Sequence, residues 1–528
     1  MPLLTLPNDV LHKILELFVI PLDAANTYPG TYSNPRREWV PARKALYQLT
    51  LTSRKFSRLA THFLYQSIFI FDYLQLMLLL RSLVEDEHLG TYVRSIAMLR
   101  KLEFDNLHVG VADVFEVNWR SAADAFNKVN WRSIAVAPRS QRFLSICIHD
   151  DWLDAEDVAD GADRLGELAE SVFALILCMT TRLQSLYMAT PDCHFTQYET
   201  FMHCLDELYK VEALRSDVLT SLVEIVLVAD LEISDTRMNM GVLARLMRFS
   251  DVRQLEIFGD QLYADIDTIE EVAGLEVLGN LEDIKLDGSF TLGRGWDMLC
   301  RHCPKLKLIE MFPSAYSEDF GGYATKYNLN TGFLRRADTL QSLSINTGID
   351  EGFLEELGPD GRLSCLPHLI HLTHLTVELY VLYGHPRNLP PVLSPDHPES
   401  DHEMDLRNIL PPSMKCLDID AQWDSSALVD YWNAETRTTY AHRQTDMLVR
   451  LVEDSRPKLP HLSYVRFQNS DIFRFQADCH AANDTLLKRL THHTRDDGTL
   501  VLSPSKSILR PGVQPVVLEL TNWGKSDD

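Results

Sequence analysis

No stretch of this chain approaches the roughly 20 consecutive apolar residues that a membrane-spanning helix needs. The nearest, YLQLMLLLRSLV (73–84), is interrupted by Gln75 and Arg81, so no membrane partner is expected. Basic residues are also in short supply. Across 528 residues, 50 Lys and Arg stand against 75 Asp and Glu, a formal net charge of −25. That balance argues against nucleic-acid or anionic-membrane binding, which needs a basic face, and it tolerates a basic partner. Cysteine is sparse: nine residues, scattered without the dense paired spacing of a disulfide framework. Reduced thiols are expected, and with them a cytoplasmic or nuclear location. Catalytic signatures are missing as well. There is no P-loop, dinucleotide fingerprint, HExxH or GxSxG.

Two local clusters come closest to chemistry. LCRHCP (299–304) places Cys300 and Cys303 at CxxC spacing, but a zinc site needs a second such pair or a pair of histidines. These cysteines are expected to fill a corner between a helix and a strand. CHFTQYETFMHC (193–204) offers Cys193, His194, His203 and Cys204 at spacings that match no common metal pattern. No catalytic residue, metal or cofactor is expected, and the chain reads as a non-enzyme.

What is present is ample apolar material, 45% of residues against 24% charged, enough for a sizeable core. In LPNDVLHKILELF (6–18), Val10, Leu11, Ile14, Leu15 and Phe18 form the stripe of an amphipathic helix. Asn8 is expected to cap it, and Asp9 suits the positive end of its dipole. Asp9, His12, Lys13 and Glu16 break the apolar run that a secretory signal needs, so the segment is expected to be retained. Residues 20–41 hold Pro21, Pro29, Gly30, Pro35 and Pro41 and read as a loop. Two further helical patterns fill 42–70. Leu46, Leu49 and Thr50 share a face of the first. Ser53 is placed to cap the second, whose stripe is Phe56, Leu59, Ala60, Phe63 and Leu64.

Behind them a short pattern recurs, apolar-x-x-apolar-x-apolar. Its copies are VRSIAM (93–98), LQSLYM (183–188), LVEIVL (222–227), VRQLEI (252–257), LEDIKL (281–286), LKLIEM (306–311), LQSLSI (340–345), LTHLTV (372–377), MKCLDI (414–419) and LSYVRF (462–467), with FLSICI (143–148) a weaker one. Each reads as a strand because its last residues alternate apolar and polar. Helical patterns such as DRLGELAESVFALILCM (163–179) lie between copies. One such unit cannot hide its apolar face, whereas stacked units bury a continuous core and leave a parallel sheet on the concave side. The acidic stretch 149–164 reads as a solvated face. The segment 383–413, rich in proline, reads as a long, partly disordered loop, and 505–523 is expected to add a strand after the repeats.

The order LPNDVLHKIL, LTLTSRKFSRLA, FLYQSI resembles the F-box, and the LxxLxL units resemble divergent leucine-rich repeats of the kind found behind many F-boxes, notably in fungal proteins. The resemblance implies an α/β architecture. An all-helical F-box (1–70, with 20–41 inserted) would be followed by a helical linker (71–90), an irregular solenoid (91–475) and a cap and tail (476–528). It implies a Skp-type adaptor as partner, through it a cullin, and the role of substrate-recognition subunit in an SCF-type ubiquitin ligase complex. A scaffold that assembles such complexes without ubiquitin transfer is the alternative. Adaptor contact is expected from Leu6, Pro7, Val10, Leu11, Ile14, Leu15, Leu49, Phe56 and Leu59, because three short helices leave apolar surface over.

The second and third apolar residues of each copy point into the core, so the residues alternating with them face the concave surface. Those positions put Glu224, Glu256, Phe258, Asp283, Glu310, Phe312, His374, Glu378, Asp418 and Tyr464 at a substrate surface, with Lys and Arg only at 285 and 466. Phe258, Phe312 and Tyr464 are the aromatic anchors of this surface. The expected ligand is a basic or aromatic-containing protein segment.

Overall fold

The structure is a computed structural model. It describes residues 6–19, 35–70, 73–98, 161–189, 199–210, 218–228, 240–258, 275–287, 293–312, 329–346, 361–383, 405–420, 446–468, 490–495, 499–503 and 516–520. The copy FLSICI, most of the acidic stretch 149–164, residues 384–404 of the proline-rich segment, and Cys193 and His194 lie outside them. The fold is mixed α/β, with parallel strands in an open arrangement. The chain divides into two compact units, Met1–Leu281 and Glu282–Asp528.

The first unit opens with three helices: α1 (Asn8–Glu16), α2 (Pro35–Thr52) and α3 (Arg54–Gln66). Two local expectations need correction. The cap position of α1 is held by Pro7, with no side-chain hydrogen bond, and Asn8 is already helical. The loop predicted over 20–41 ends early, because α2 starts at Pro35 and runs through Pro41. Proline is well tolerated at a first helical position, where its missing N–H would be unpaired anyway. Beyond Pro41 the run Ala42-Arg43-Lys44-Ala45-Leu46 consists of strong helix formers. The Ser53 cap is as expected: its hydroxyl accepts from the Phe56 N–H at 3.2 Å.

Strands of this unit are β1 (Ser67–Phe69), β2 (Ser95–Met98), β3 (Ser185–Ala189), β4 (Glu224–Val228) and β5 (Gln254–Phe258), each pairing parallel with the next. Helices Tyr73–Glu85, Gly161–Met179, Glu199–Lys210 and Met240–Met247 stand beside one another in chain order. The second unit continues with β6 (Asp283–Asp287), β7 (Leu308–Phe312), β8 (Ser342–Ile345), β9 (His374–Glu378), β10 (Cys416–Asp420) and β11 (Tyr464–Gln468), parallel in register from β6 to β11. Then β14 (Val517–Leu520) adds in parallel to β11, and β13 (Leu500–Ser503) and β12 (Thr491–Thr494) close the edge antiparallel.

All ten full copies of the six-residue pattern are strands, each starting at the third residue of the copy. A repeated hydrogen-bond scheme fixes them. The first residue donates its N–H back into the preceding turn: Leu183 to Thr180, Leu222 to Leu219, Leu306 to Cys303, Leu372 to Leu369 and Leu462 to Leu459, at 2.9–3.2 Å. The second and third N–H groups converge on the second carbonyl of the previous copy. Gln184 and Ser185 share the Arg94 carbonyl at 2.7 and 3.0 Å, and Lys415 and Cys416 share that of Thr373 at 2.9 and 3.0 Å. The buried backbone at each strand entry is therefore satisfied by the neighbouring copy, as burial requires. Arg94 in turn donates to the Gln66 carbonyl at 2.8 Å. YQSIFI (65–70) is thus an eleventh copy, and α3 runs straight into it.

The alternating apolar residues form the core. In the first unit Ile96, Leu186, Ile225 and Leu255 are aligned and buried, with Phe173, Phe201, Leu205 and Leu246 from the helices buried as well. In the second unit Ile309, Leu343, Leu375, Leu417, Val465 and Leu518 play the same part. Here Trp296 meets Phe333 edge-on with ring centroids 5.3 Å apart, and its Nε1 donates to the Leu329 carbonyl at 3.3 Å. Gly332 makes this approach possible: a Cβ there would lie 2.4 Å from Trp296 Nε1. Asn330, buried, links one repeat to the next. Its amide nitrogen donates to the Arg362 carbonyl at 2.9 Å, and its oxygen accepts from the Cys365 N–H at 3.1 Å.

Candidate functional site

Two surfaces carry the residues that the sequence singles out. On the helical unit, Leu11, Leu15, Phe56, Ala60 and Phe63 are buried. Three expected docking residues, Leu11, Leu15 and Phe56, are therefore core. Their stripes face the other helices, because a small three-helix unit must spend its best apolar residues on itself. Leu6, Ile14, Leu49 and Leu59 are half-buried and Pro7 is exposed. What remains outward is Val10 at 41%, Leu17 at 82%, Tyr47 at 51% and Leu51 at 64% exposure. The last three were not predicted. Tyr47 and Leu51 lie four residues apart, so they share one side of α2 off its apolar stripe, and that spacing was the available signal. Lys55 Nζ donates to the Leu6 carbonyl at 3.0 Å, which ties the Leu-Pro segment to the start of α3, just past the corner where Leu51 lies.

Beneath this surface His62 packs against His12, Phe63 and Tyr92, with ring centroids 6.0, 5.2 and 5.1 Å away. Its Nδ1 is buried without a hydrogen bond. Burial, then the neighbouring His12 and Arg94, holds the His62 imidazole below its ordinary pKa.

The second surface is the strand face opposite the helix-side core, and it differs between the units. In the first unit Phe69, Ala97, Tyr187, Val226, Val228 and Phe258 line this face and form a second buried apolar cluster. Phe258, expected as a substrate anchor, is part of that cluster and not of an open surface. Glu224 and Glu256 are half-buried at its margin, and Tyr187 Oη donates to Glu224 at 3.1 Å.

In the second unit the same face is polar. One aligned row reads Asp283, Leu308, Ser342, His374, Cys416, Tyr464 and Val517. The next reads Lys285, Glu310, Ser344, Thr376, Asp418, Arg466 and Glu519. Of the expected residues, His374 is exposed, and Asp283, Glu310, Phe312, Asp418 and Tyr464 are half-buried. Glu378 is the exception. It is buried where β9 turns directly into helix Leu379–Tyr383.

The structure joins Asp418 and Tyr464 to two residues that the pattern does not mark, Glu519 and Arg495. Tyr464 Oη donates to Glu519 at 2.6 Å, and Arg466 Nε donates to Tyr464 Oη at 2.9 Å. The Arg466 guanidinium lies over the Tyr464 ring, 5.5 Å from its centroid, and 3.7 Å from Asp418. Arg495 forms an ion pair with Glu519. Burial, and then the bond to Glu519, pushes the Tyr464 phenol up to about 12, so it stays protonated and donates. Burial, with Glu519 adding, raises the Asp418 carboxyl against the opposing Arg466 and His374. The alternation VVLEL (516–520) was the available signal for Glu519.

This face can recognise a partner by hydrogen bonds and charge. Cys416 stands opposite His374 in register, but burial and then Asp418 raise its thiol pKa, which opposes a nucleophilic thiolate. Cys300 and Cys303 are fully buried at the corner between helix Gly293–His302 and β7. Burial pushes the Cys303 thiol up to about 12. Among the described residues no helix is long and apolar enough to cross a membrane, and no group of three His, Cys, Asp or Glu is placed to hold a metal ion. No protein-family model matches this chain, and no curated protein matches it.

Proposed function

We propose that this chain is a substrate receptor of an SCF-type ubiquitin ligase. Its first three helices act as an F-box that docks a Skp-type adaptor, and its repeats form a leucine-rich-repeat-like solenoid that holds a protein substrate. The observation that carries this reading is the junction at residues 65–70. A helical unit with apolar residues left outward feeds, without a linker, into the first copy of a repeated strand ladder. Such an arrangement fixes the docking helices to the first strands of the ladder, as a chain that carries an adaptor and a substrate together requires. The chain's contribution would be proximity: a raised effective concentration of substrate lysines near the conjugating enzyme.

The test is co-purification of the full chain with a Skp-type adaptor. The informative variants are Val10→Asp and Leu51→Asp, which alter outward residues, not Leu11→Asp, which would unfold the unit. Loss of the adaptor with an unchanged melting temperature is the expected result. Full retention by the double variant, or no complex with the parent chain, would sink the reading.

A further inference from the structure

The network at β10, β11 and β14 has a feature that structural bracing alone does not need. Glu519 is nearly enclosed, with its side chain 6% exposed, and it is engaged by Tyr464 and Arg495. Above it stand two guanidinium groups whose side chains are 40% and 49% exposed, Arg466 and Arg495. Arg466 is held in place by two neighbours: by Tyr464, whose Oη accepts from its Nε and whose ring centroid lies 5.5 Å from its guanidinium, and by Asp418 at 3.7 Å. The hydrogen bond and the ion pair both use its Nε. Its Nη1 and Nη2 have no partner among the described residues. A planar fork, oriented through its Nε with both outer nitrogens unused, is built for bidentate capture of an oxyanion.

We infer that Arg466, joined to Arg495 through Tyr464 and Glu519, is a receptor site for a single anionic group of a peptide partner, a carboxylate or a phosphorylated side chain. The site lies on the open strand face, which suits a group presented on a chain; a small molecule binds best where it is enclosed. Asp418 and Asp420 stand on the adjacent strand, and the whole chain carries −25. Both disfavour a polyanion such as nucleic acid. This inference rests on the reading of the second unit's polar face as the substrate surface. It revises the sequence expectation of a purely basic ligand, because at this end of the face the outermost groups are cationic.

The experiment uses the full chain and three fluorescein-labelled Gly-Ser peptides of one length: one with a free C-terminal carboxylate, its amide, and an amide with one internal phosphoserine. Fluorescence anisotropy is expected to show at least tenfold tighter binding of one charged peptide than of the neutral amide. Arg466→Gln should erase that preference, and Arg495→Gln should weaken it. Preference for the carboxylate assigns the site to a chain terminus, and preference for phosphoserine to a modified side chain. Equal binding of all three peptides, or a preference that survives Arg466→Gln, overturns the inference. Adaptor co-purification of Arg466→Gln in parallel separates the two proposals, since a site failure leaves adaptor binding intact.

Discussion

The strand ladders of the two units obey the same six-residue rule yet present opposite outer faces. In the first unit both sides of the strands are apolar, and Tyr187, Val226, Val228 and Phe258 are as buried as the helix-side leucines. In the second unit, residues at equivalent positions are Ser344, Thr376, Asp418 and Arg466, all partly exposed. A sheet buried on both faces is a structural element, whereas one with a polar face can meet a partner. The repeat pattern specifies one side only, and the other side is free to be either core or binding surface.

The difference can be broken most severely by a buried charge. Val226→Asp places an unpaired carboxylate in the apolar cluster and is expected to cost more than about 4 kcal/mol or prevent folding. Ser344→Asp, at the matching position in the second unit, should stay within about 0.5 kcal/mol. Chemical denaturation of both variants checks this. Next in size is Asn330→Ala, which strands a buried N–H and carbonyl between two repeats and should cost about 1–3 kcal/mol by the same measurement.

The paired tyrosines sharpen the contrast further. Tyr464→Phe removes one of the two donors that the enclosed Glu519 has among the described residues, leaving only Arg495, and should cost about 1–3 kcal/mol, whereas Tyr187→Phe, facing the half-exposed Glu224, should cost about 0.5–1 kcal/mol. The smallest expected effect belongs to His62. Its folded pKa is depressed, so the neutral form is favoured in the native state. Stability is full above the ordinary imidazole value near 6.5 and falls as pH drops below it, because the unfolded chain then takes up the proton first. His62→Gln should flatten that decline in a pH series of melting temperatures.

Much of the fold was legible because a period of two and a fixed six-residue phrase leave little choice. Each of the ten full copies became a strand at the expected place. The copy at Tyr65–Ile70 was hidden because its first residues also complete the helical motif: Tyr65 and Gln66 are the last residues of α3, and β1 starts at Ser67. Leu11, Leu15 and Phe56 illustrate another limit. A stripe shows that a helix face is apolar, but it does not reveal whether the chain's own helices cover it. Phe258 and Glu378 failed as surface residues because what lies above a strand is decided by segments far away in sequence. Arg495 could not be found at all from the pattern. It reaches Glu519 across β13, and only the antiparallel edge brings them together.

The contrast between the two strand faces is tested most directly by maleimide labelling of Val226→Cys and His374→Cys in the folded chain, read by intact mass against the parent protein. His374→Cys is expected to gain one label rapidly under native conditions, and Val226→Cys only after denaturation. Equal native labelling of the two, or protection of His374→Cys, would contradict the assignment of one face to core and the other to a partner.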